Sequence, residues 1–276
     1  MVNWRVMQRA GGAAFTFIKA TEGRDYVNPR FASDFRGAAR MFRGAYHFAR
    51  PSGRNFAQIS YDAKAEANHF IRTTGTMNGP GVLPPVLDIE SAGPLRPHQL
   101  KWWTRIWLRQ VKALTGRTPI IYTYGDFWRQ SLGNSTEFTS HPLWLAHYGV
   151  RRARLVGGWR RYTFWQYTDR GRLAGAGLRL DMNLFNGSKP QLQALTGRKP
   201  LLLETSRASG ASRTPVGQKG SAKPAPSRAP AVSASLRSLT TATMRYLTRV
   251  RAVDQENRPQ MWPNVFNSGG IREIGH

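Results

Sequence analysis

The sequence predicts an α/β protein: strands alternating with helices and rolling into an irregular, TIM-like (β/α) barrel. Three observations carry this. Apolar, strand-like segments alternate with amphipathic helical stretches over roughly the first 185 residues. Polar residues recur where those strands end, which is where barrel enzymes gather their chemistry. After Ser188 the composition shifts toward Ser, Ala, Pro, Gly and Arg. Residues 1–188 are therefore expected to form the barrel, and residues 189–276 a basic, largely disordered extension.

In chain order, Ala13–Ile18 reads as a strand, followed by Lys19-Ala20-Thr21-Glu22-Gly23. Asn28 to Phe42 turns helical, with Phe31, Phe35, Ala38, Ala39 and Phe42 on one stripe. Gly44–Ala49 is a second strand, ended by Pro51-Ser52-Gly53. A helix spans about Phe56 to Arg72, with Ala57, Ala63, Ala67 and Phe70 among its apolar positions. Leu83–Ser91 holds the third strand. The helix after it, Pro97 to Leu114, carries Trp103, Ile106, Trp107, Val111 and Leu114, and Gly116 stops it. Pro119–Tyr124 is the fourth strand and Asp126–Leu132 a short helix. Leu143–Tyr148, Thr163–Tyr167 and Leu178–Leu184 follow as strands with little helix between them. About seven strands in this length suggest a tighter and less regular barrel than the usual eightfold one. Beyond it, residues 205–236 are expected to be disordered, and Leu239–Val253 has a weak helical stripe.

The third strand organises the rest. In Val86-Leu87-Asp88-Ile89-Glu90 the apolar residues suit a buried strand, bounded by Pro84-Pro85 and Gly93-Pro94. Side chains alternate along a strand, so Asp88 and Glu90 point the same way, roughly 6–7 Å apart at Cα. Burial and mutual repulsion would raise both pKa values and keep one carboxyl protonated near neutral pH. That is the state a general acid needs. The plain alternative is a solvated strand end that caps the next helix.

The 276 residues carry 41 Lys and Arg against 15 Asp and Glu, a formal net charge of +26. Basic residues outnumber acidic ones 27 to 11 up to Ser188 and 14 to 4 after it, so the excess is not confined to a tail. Such a surface favours polyanionic partners: nucleic acid, anionic lipid or an anionic cell wall. No basic helix, zinc spacing or aromatic RNA motif accompanies the charge, so nucleic acid is expected only as a non-specific partner. Cysteine is absent, which excludes disulfides and Cys-ligated metal sites. No run of 18 apolar residues exists, so no membrane span is expected. Met1–Arg5 has no apolar core of a signal peptide.

The order of motifs is more specific than any one of them. Phe17-Ile18-Lys19-Ala20-Thr21-Glu22-Gly23 comes first, then Gly44-Ala45-Tyr46-His47-Phe48, then Leu87-Asp88-Ile89-Glu90. Leu143-Trp144-Leu145-Ala146-His147-Tyr148, Phe164-Trp165-Gln166-Tyr167 and Asp181-Met182-Asn183-Leu184-Phe185 follow. Over about residues 2–188 the chain resembles glycoside hydrolase family 25, the Chalaropsis-type lysozymes. The resemblance implies cleavage of the β-1,4 bond after N-acetylmuramic acid in peptidoglycan, by a monomer that needs no metal or cofactor. It implies Glu90 as the acid that protonates the leaving oxygen. It implies Asp88 as the carboxylate that orients the substrate's acetamido group, the internal nucleophile, and Asp181 as a further acid. It implies a secreted or wall-associated enzyme.

Tyr46, Tyr122, Trp144, Tyr148 and Trp165 are candidates to stack on sugar rings at the rim, core packing being the alternative. Lys19 and Glu22 could pair in the floor of the site, and His47 reads as a structural histidine. Family members open with a strand bearing an Asp-Val-Ser triplet before the Asn-Trp segment. Here Met1-Val2-Asn3-Trp4 starts inside that pattern, so a barrel truncated by one strand and lacking one acid is expected. A wall-binding protein of weak or no activity is the competing reading.

Overall fold

The computed structural model describes residues 2–177 and 179–196 in full and residues 260–263 by their backbone. The strands are β1 (Phe15–Glu22), β2 (Tyr26–Val27), β3 (Phe42–Phe48), β4 (Val86–Asp88) and β5 (Ile120–Tyr124). β6 (Leu143–Ala146), β7 (Phe164–Gly171), β8 (Leu180–Phe185) and β9 (Gln260–Pro263) complete the set. The helices are α1 (Trp4–Arg9), α2 (Phe31–Gly37), α3 (Phe56–Thr74), α4 (Pro97–Thr115), α5 (Gly125–Ser131) and α6 (Lys189–Ala194). All pairing strands join one sheet in the order β2-β1-β3-β4-β5-β6-β7-β8-β9.

From β1 through β7 the neighbours run parallel, joined by crossovers, as the alternation of strands and helices predicts. β8 corrects the expectation of a uniformly parallel sheet, because it runs antiparallel to β7. The link from Gly171 to Leu180 is too short for a parallel crossover, which takes about a dozen residues or more. β9 pairs antiparallel along the other edge of β8, with Leu184 opposite Met261.

The sheet is curled into a half-barrel. Phe15 of β1 and Phe164 of β7 have ring centroids 5.1 Å apart, and Phe17 stacks on Trp144 of β6 at 4.5 Å. Five strand spacings in a flat sheet would separate β1 from β7 by roughly 24 Å. Curling therefore turns one face of every strand inward, where Phe15, Phe17, Val86, Ile120, Phe164 and Phe185 fill the interior. Gly44 is part of this packing: a Cβ there would lie 2.3 Å from the Phe17 ring. The alternate residues, among them Ile18, Leu87, Ile89, Ile121 and Leu145, face outward beneath the helices.

α3 and α4 cover that outer face through stripes that include Ile59, Ala63, Ala67 and Phe70 on one and Leu100, Trp103, Trp107 and Val111 on the other. Asn55 caps α3 by accepting from the Gln58 N–H at 2.9 Å. Pro97 opens α4, and Gly116 ends it in the left-handed conformation, at φ 70°. Buried Asp62 ties the layer together, accepting from Trp103 Nε1 at 2.8 Å and from the Ser52 N–H at 2.9 Å. The helical stretch expected at 28–42 ends earlier: α2 passes into a 3-10 turn at Ala38–Arg40, and Phe42 starts β3. α6 continues the body past Ser188 and buries Leu192 in the interior cluster. The expected disorder at 205–236 and the helical stripe at 239–253 lie outside the described residues.

Candidate active site

β4 is three residues long between the longer β3 and β5, and its end delivers both acids to the mouth of the half-barrel. Asp88 is its last residue, buried at 4% exposure, opposite Phe48 of β3 and Tyr122 of β5. Its Oδ1 is buried without a hydrogen-bond partner. Glu90 follows two residues later and lines a cleft of about 550 Å³ with Tyr122, Tyr124 and Tyr148. Burial pushes the Asp88 carboxyl well above its usual range, and the Glu90 charge pushes it further. Burial also raises Glu90, against the opposing pull of Lys19 and Arg50. Because the charge of Glu90 disfavours ionisation of Asp88, the two carboxyls titrate as a pair.

Asp181 reaches the same mouth by the reversal of β8. As the second residue of an antiparallel strand, it sits level with the carboxyl ends of the parallel ones. Burial, then Asp169 and Glu90, raise it to about 7. Tyr46 lies within electrostatic reach of all three acids: burial first, then Asp88, Asp181 and Glu90 raise its hydroxyl well above the usual range. The mouth thus collects Asp88, Glu90, Asp181 and Tyr46 in one place.

The floor is cationic. Lys19 is buried and ion-paired with Glu22, with its ammonium 5.0 Å from the centre of the Phe48 ring. Arg50 reaches the other oxygen of Glu22 at 2.6 Å. Burial raises the Glu22 carboxyl, but hydrogen bonds from Lys19 and Arg50 outweigh it and hold Glu22 below its usual value. Glu22 therefore stays ionised and fixes Lys19 beside Asp88 and Glu90.

The five aromatic candidates separate. Tyr122 is buried on the inner face, and its hydroxyl donates to Gln166 Oε1 at 2.7 Å. Tyr148, 43% exposed, donates to the same oxygen at 2.5 Å and forms a lip of the cleft. Tyr46 is buried beside the acids, with little ring surface to stack. Trp144 does not stand at the rim. It is 0% exposed, wedged against Phe17, and its indole N–H donates to Asn183 Oδ1 at 2.7 Å. Trp165 faces away from the interior, because Phe164 and Gln166 on either side face in. Its N–H is held by the His147 carbonyl at 2.8 Å. Gln166 and Asn183, to which the sequence motifs give no role, receive these hydrogen bonds. Both are polar residues on inward positions of strands, a pattern that calls for buried partners.

His47 is structural, and its partner is a surprise. Its Nδ1 lies 2.8 Å from Thr21 Oγ1 and its Nε2 lies 2.7 Å from Glu66 Oε2 on α3. Burial lowers His47 to about 3, and burial raises Glu66 to about 8. Both shifts favour the uncharged forms, in which Glu66 can donate its proton to the imidazole. Against ordinary values of 6.5 and 4.5, the histidine contributes stability that is lost as pH falls from 6.5 toward 3. The carboxyl has the opposite sign: its protonated form is favoured in the fold, so stability falls as pH rises from 4.5 toward 8. The two slopes cancel between 4.5 and 6.5. We expect Glu66→Gln, which keeps a neutral donor, to flatten the decline above pH 6.5 in a calorimetric melting series. Glu66→Ala should cost about 3 kcal/mol by orphaning His47 and the Arg50 N–H.

A second cleft of about 630 Å³ lies at the opposite ends of β6 and β7, around Leu143, Tyr162 and Thr163. Its described lining carries no carboxyl group, so it offers no acid chemistry. Among the described residues no helix is long and apolar enough to cross a membrane.

Over 204 residues the chain is 36% identical to Lysozyme M1 of Streptomyces globisporus, a match covering 70% of this chain and 67% of that one. It is also 36% identical over 200 residues to the N,O-diacetylmuramidase of Chalaropsis, covering 67% and 89%. Its fold superposes on the crystal structure of the lysozyme from Streptomyces coelicolor with a TM-score of 0.66 and 34% identity, covering 72% of this chain and 92% of that one. The fold is that of a glycoside hydrolase of the lysozyme and muramidase class. The family model for glycosyl hydrolases family 25 matches residues 1–176, and the chain belongs to that family.

Proposed function

We propose that the protein is a muramidase, hydrolysing the β-1,4 bond between N-acetylmuramic acid and N-acetylglucosamine in bacterial peptidoglycan. The observation that carries this is the convergence of Asp88, Glu90 and Asp181 beside Tyr46 at one strand-end mouth, with Asp88 Oδ1 unpartnered. Glu90 donates its proton to the glycosidic oxygen as the bond to the anomeric carbon breaks. The substrate's acetamido oxygen attacks that carbon, and Asp88 accepts a hydrogen bond from the acetamido N–H. A donor arriving at Asp88 favours its ionised form and leaves the shared proton on Glu90. In the second step Glu90 takes a proton from the water that opens the cyclic intermediate, and is restored. Asp181 supplies negative charge facing the developing positive charge on the sugar. A secreted or wall-associated enzyme follows from that substrate, and the net charge of +26 suits an anionic wall.

The test is digestion of purified peptidoglycan, with mass analysis of the new reducing ends. Muramic acid at those ends is the expected result, and glucosamine would contradict the assignment.

One observation favours a second reading. Among the described residues, no strand bearing an acid lies between β8 and β1. A wall-binding protein with an incomplete acid set would bind purified wall in a pull-down without clearing a cell suspension.

A further inference from the structure

The flank of the cleft beside Glu90, between β5 and β6, carries cations that the hydrolysis itself does not use. Arg129 projects from α5 and Arg154 from the loop after β6, and both line the same cleft as Glu90. The loop is anchored where it matters. The Arg154 N–H donates to His147 Nδ1 at 3.0 Å, and the backbone of His147 is itself pinned, its N–H to the Gln166 carbonyl and its carbonyl to the Trp165 indole. Asp126 takes one arm of the Arg129 guanidinium at 2.7 Å, leaving the rest of a half-exposed fork. Arg154 has no carboxylate partner among the described residues. Two arginines at the edge of a ligand-sized cleft, one tied to Asp126 and the other anchored through its backbone and without a carboxylate partner, offer the planar forks that recognise carboxylate bidentately.

In a peptide-bearing strand the lactyl carboxyl of muramic acid is tied up in an amide, so the sugars themselves have no charge to offer them. The peptide carried on the lactyl group of muramic acid does. We propose that Arg129 and Arg154 form a subsite for the carboxylates of that stem peptide, so that the enzyme reads peptide-bearing strands as well as the sugars. The inference rests on the muramidase reading above.

The test uses two soluble glycan oligomers of equal length, one with free stem carboxylates and one with the same carboxylates amidated. The full chain should cleave the acidic substrate with a kcat/KM about tenfold higher, the scale of one charge-assisted contact. Arg129→Gln with Arg154→Gln should bring that ratio close to one, and Arg154→Lys should give an intermediate ratio. The wild-type ratio should shrink in high salt, because the groups are exposed. Melting curves matching the wild type would show that the variants are folded. A variant that melts early is replaced by Arg154→Gln alone, read by the same ratio. Equal cleavage of both substrates by the wild type, or a preference that survives the double substitution, overturns the subsite. Suppression of the preference by phosphate polymer at concentrations that leave the amidated substrate's cleavage untouched would assign the arginines to wall phosphate and also overturn it. Failure to cleave either substrate would instead overturn the muramidase reading, and the subsite with it.

Discussion

Glu90→Gln should remove product formation from purified peptidoglycan, lowering kcat by about a thousandfold or more, the usual scale for loss of a general acid. The substitution keeps the size of the side chain and its place in the cleft beside Tyr122 and Tyr124. It cannot donate a proton to the leaving oxygen, and an amide is too poor a base to activate the water that follows. Binding should survive. A kcat near wild type would remove Glu90 from the role of acid. A loss confined to KM would make it a binding residue.

Asp88→Asn should reduce kcat by about a hundredfold or more, for a different reason. Asp88 sits one strand turn deeper than Glu90, and its Oδ1 has no protein donor. In the proposed reaction an acetamido N–H of the bound substrate supplies that donor. The asparagine keeps an acceptor but loses the negative charge, so the positive charge growing on the ring and acetamido group goes unmatched. The loss should appear on N-acetylated glycan and shrink on strands lacking the acetyl group, where the internal nucleophile is absent. An equal loss on both would place Asp88 outside that step.

The acid pair was legible in the sequence because two residues at i and i+2 in an apolar strand must share a face, whatever the rest of the fold does. The places of Tyr46 and Tyr122 near strand ends indicate their position beside the acids, but not their burial, which leaves little ring surface to stack on a sugar. The places of Trp144 and Trp165 were not legible in the same way. Alternation along a strand fixes which residues share a face, but not which face turns inward. Two adjacent strands, β6 and β7, each placed an aromatic where the motif alone cannot say whether it meets sugar or core. The inward face of β6 carries Trp144 because Phe17 and Asn183 wait there to receive it.

Other elements failed for want of length or context. α1 has six residues, too few for a 3.6-residue period to register, and is held by the Asn3 cap. The direction of β8 depends on the loop before it rather than on its own residues. Glu66 carries a signal of its own: it interrupts the apolar stripe of Ile59, Ala63, Ala67 and Phe70, and a carboxyl there must find a buried partner. That partner, His47, lies 19 residues back on β3.

The account turns on one shared proton between Asp88 and Glu90. The most direct measurement is the pH dependence of kcat/KM for the wild type and for Asp88→Asn, on the same glycan substrate. With one proton shared between two carboxyls, replacing Asp88 by an amide removes the repulsion that makes that proton hard to lose, and should move the basic limb of the profile to lower pH. A basic limb that stays where it was, in a variant that still turns over, would mean the two carboxyls do not share a proton and would contradict the account.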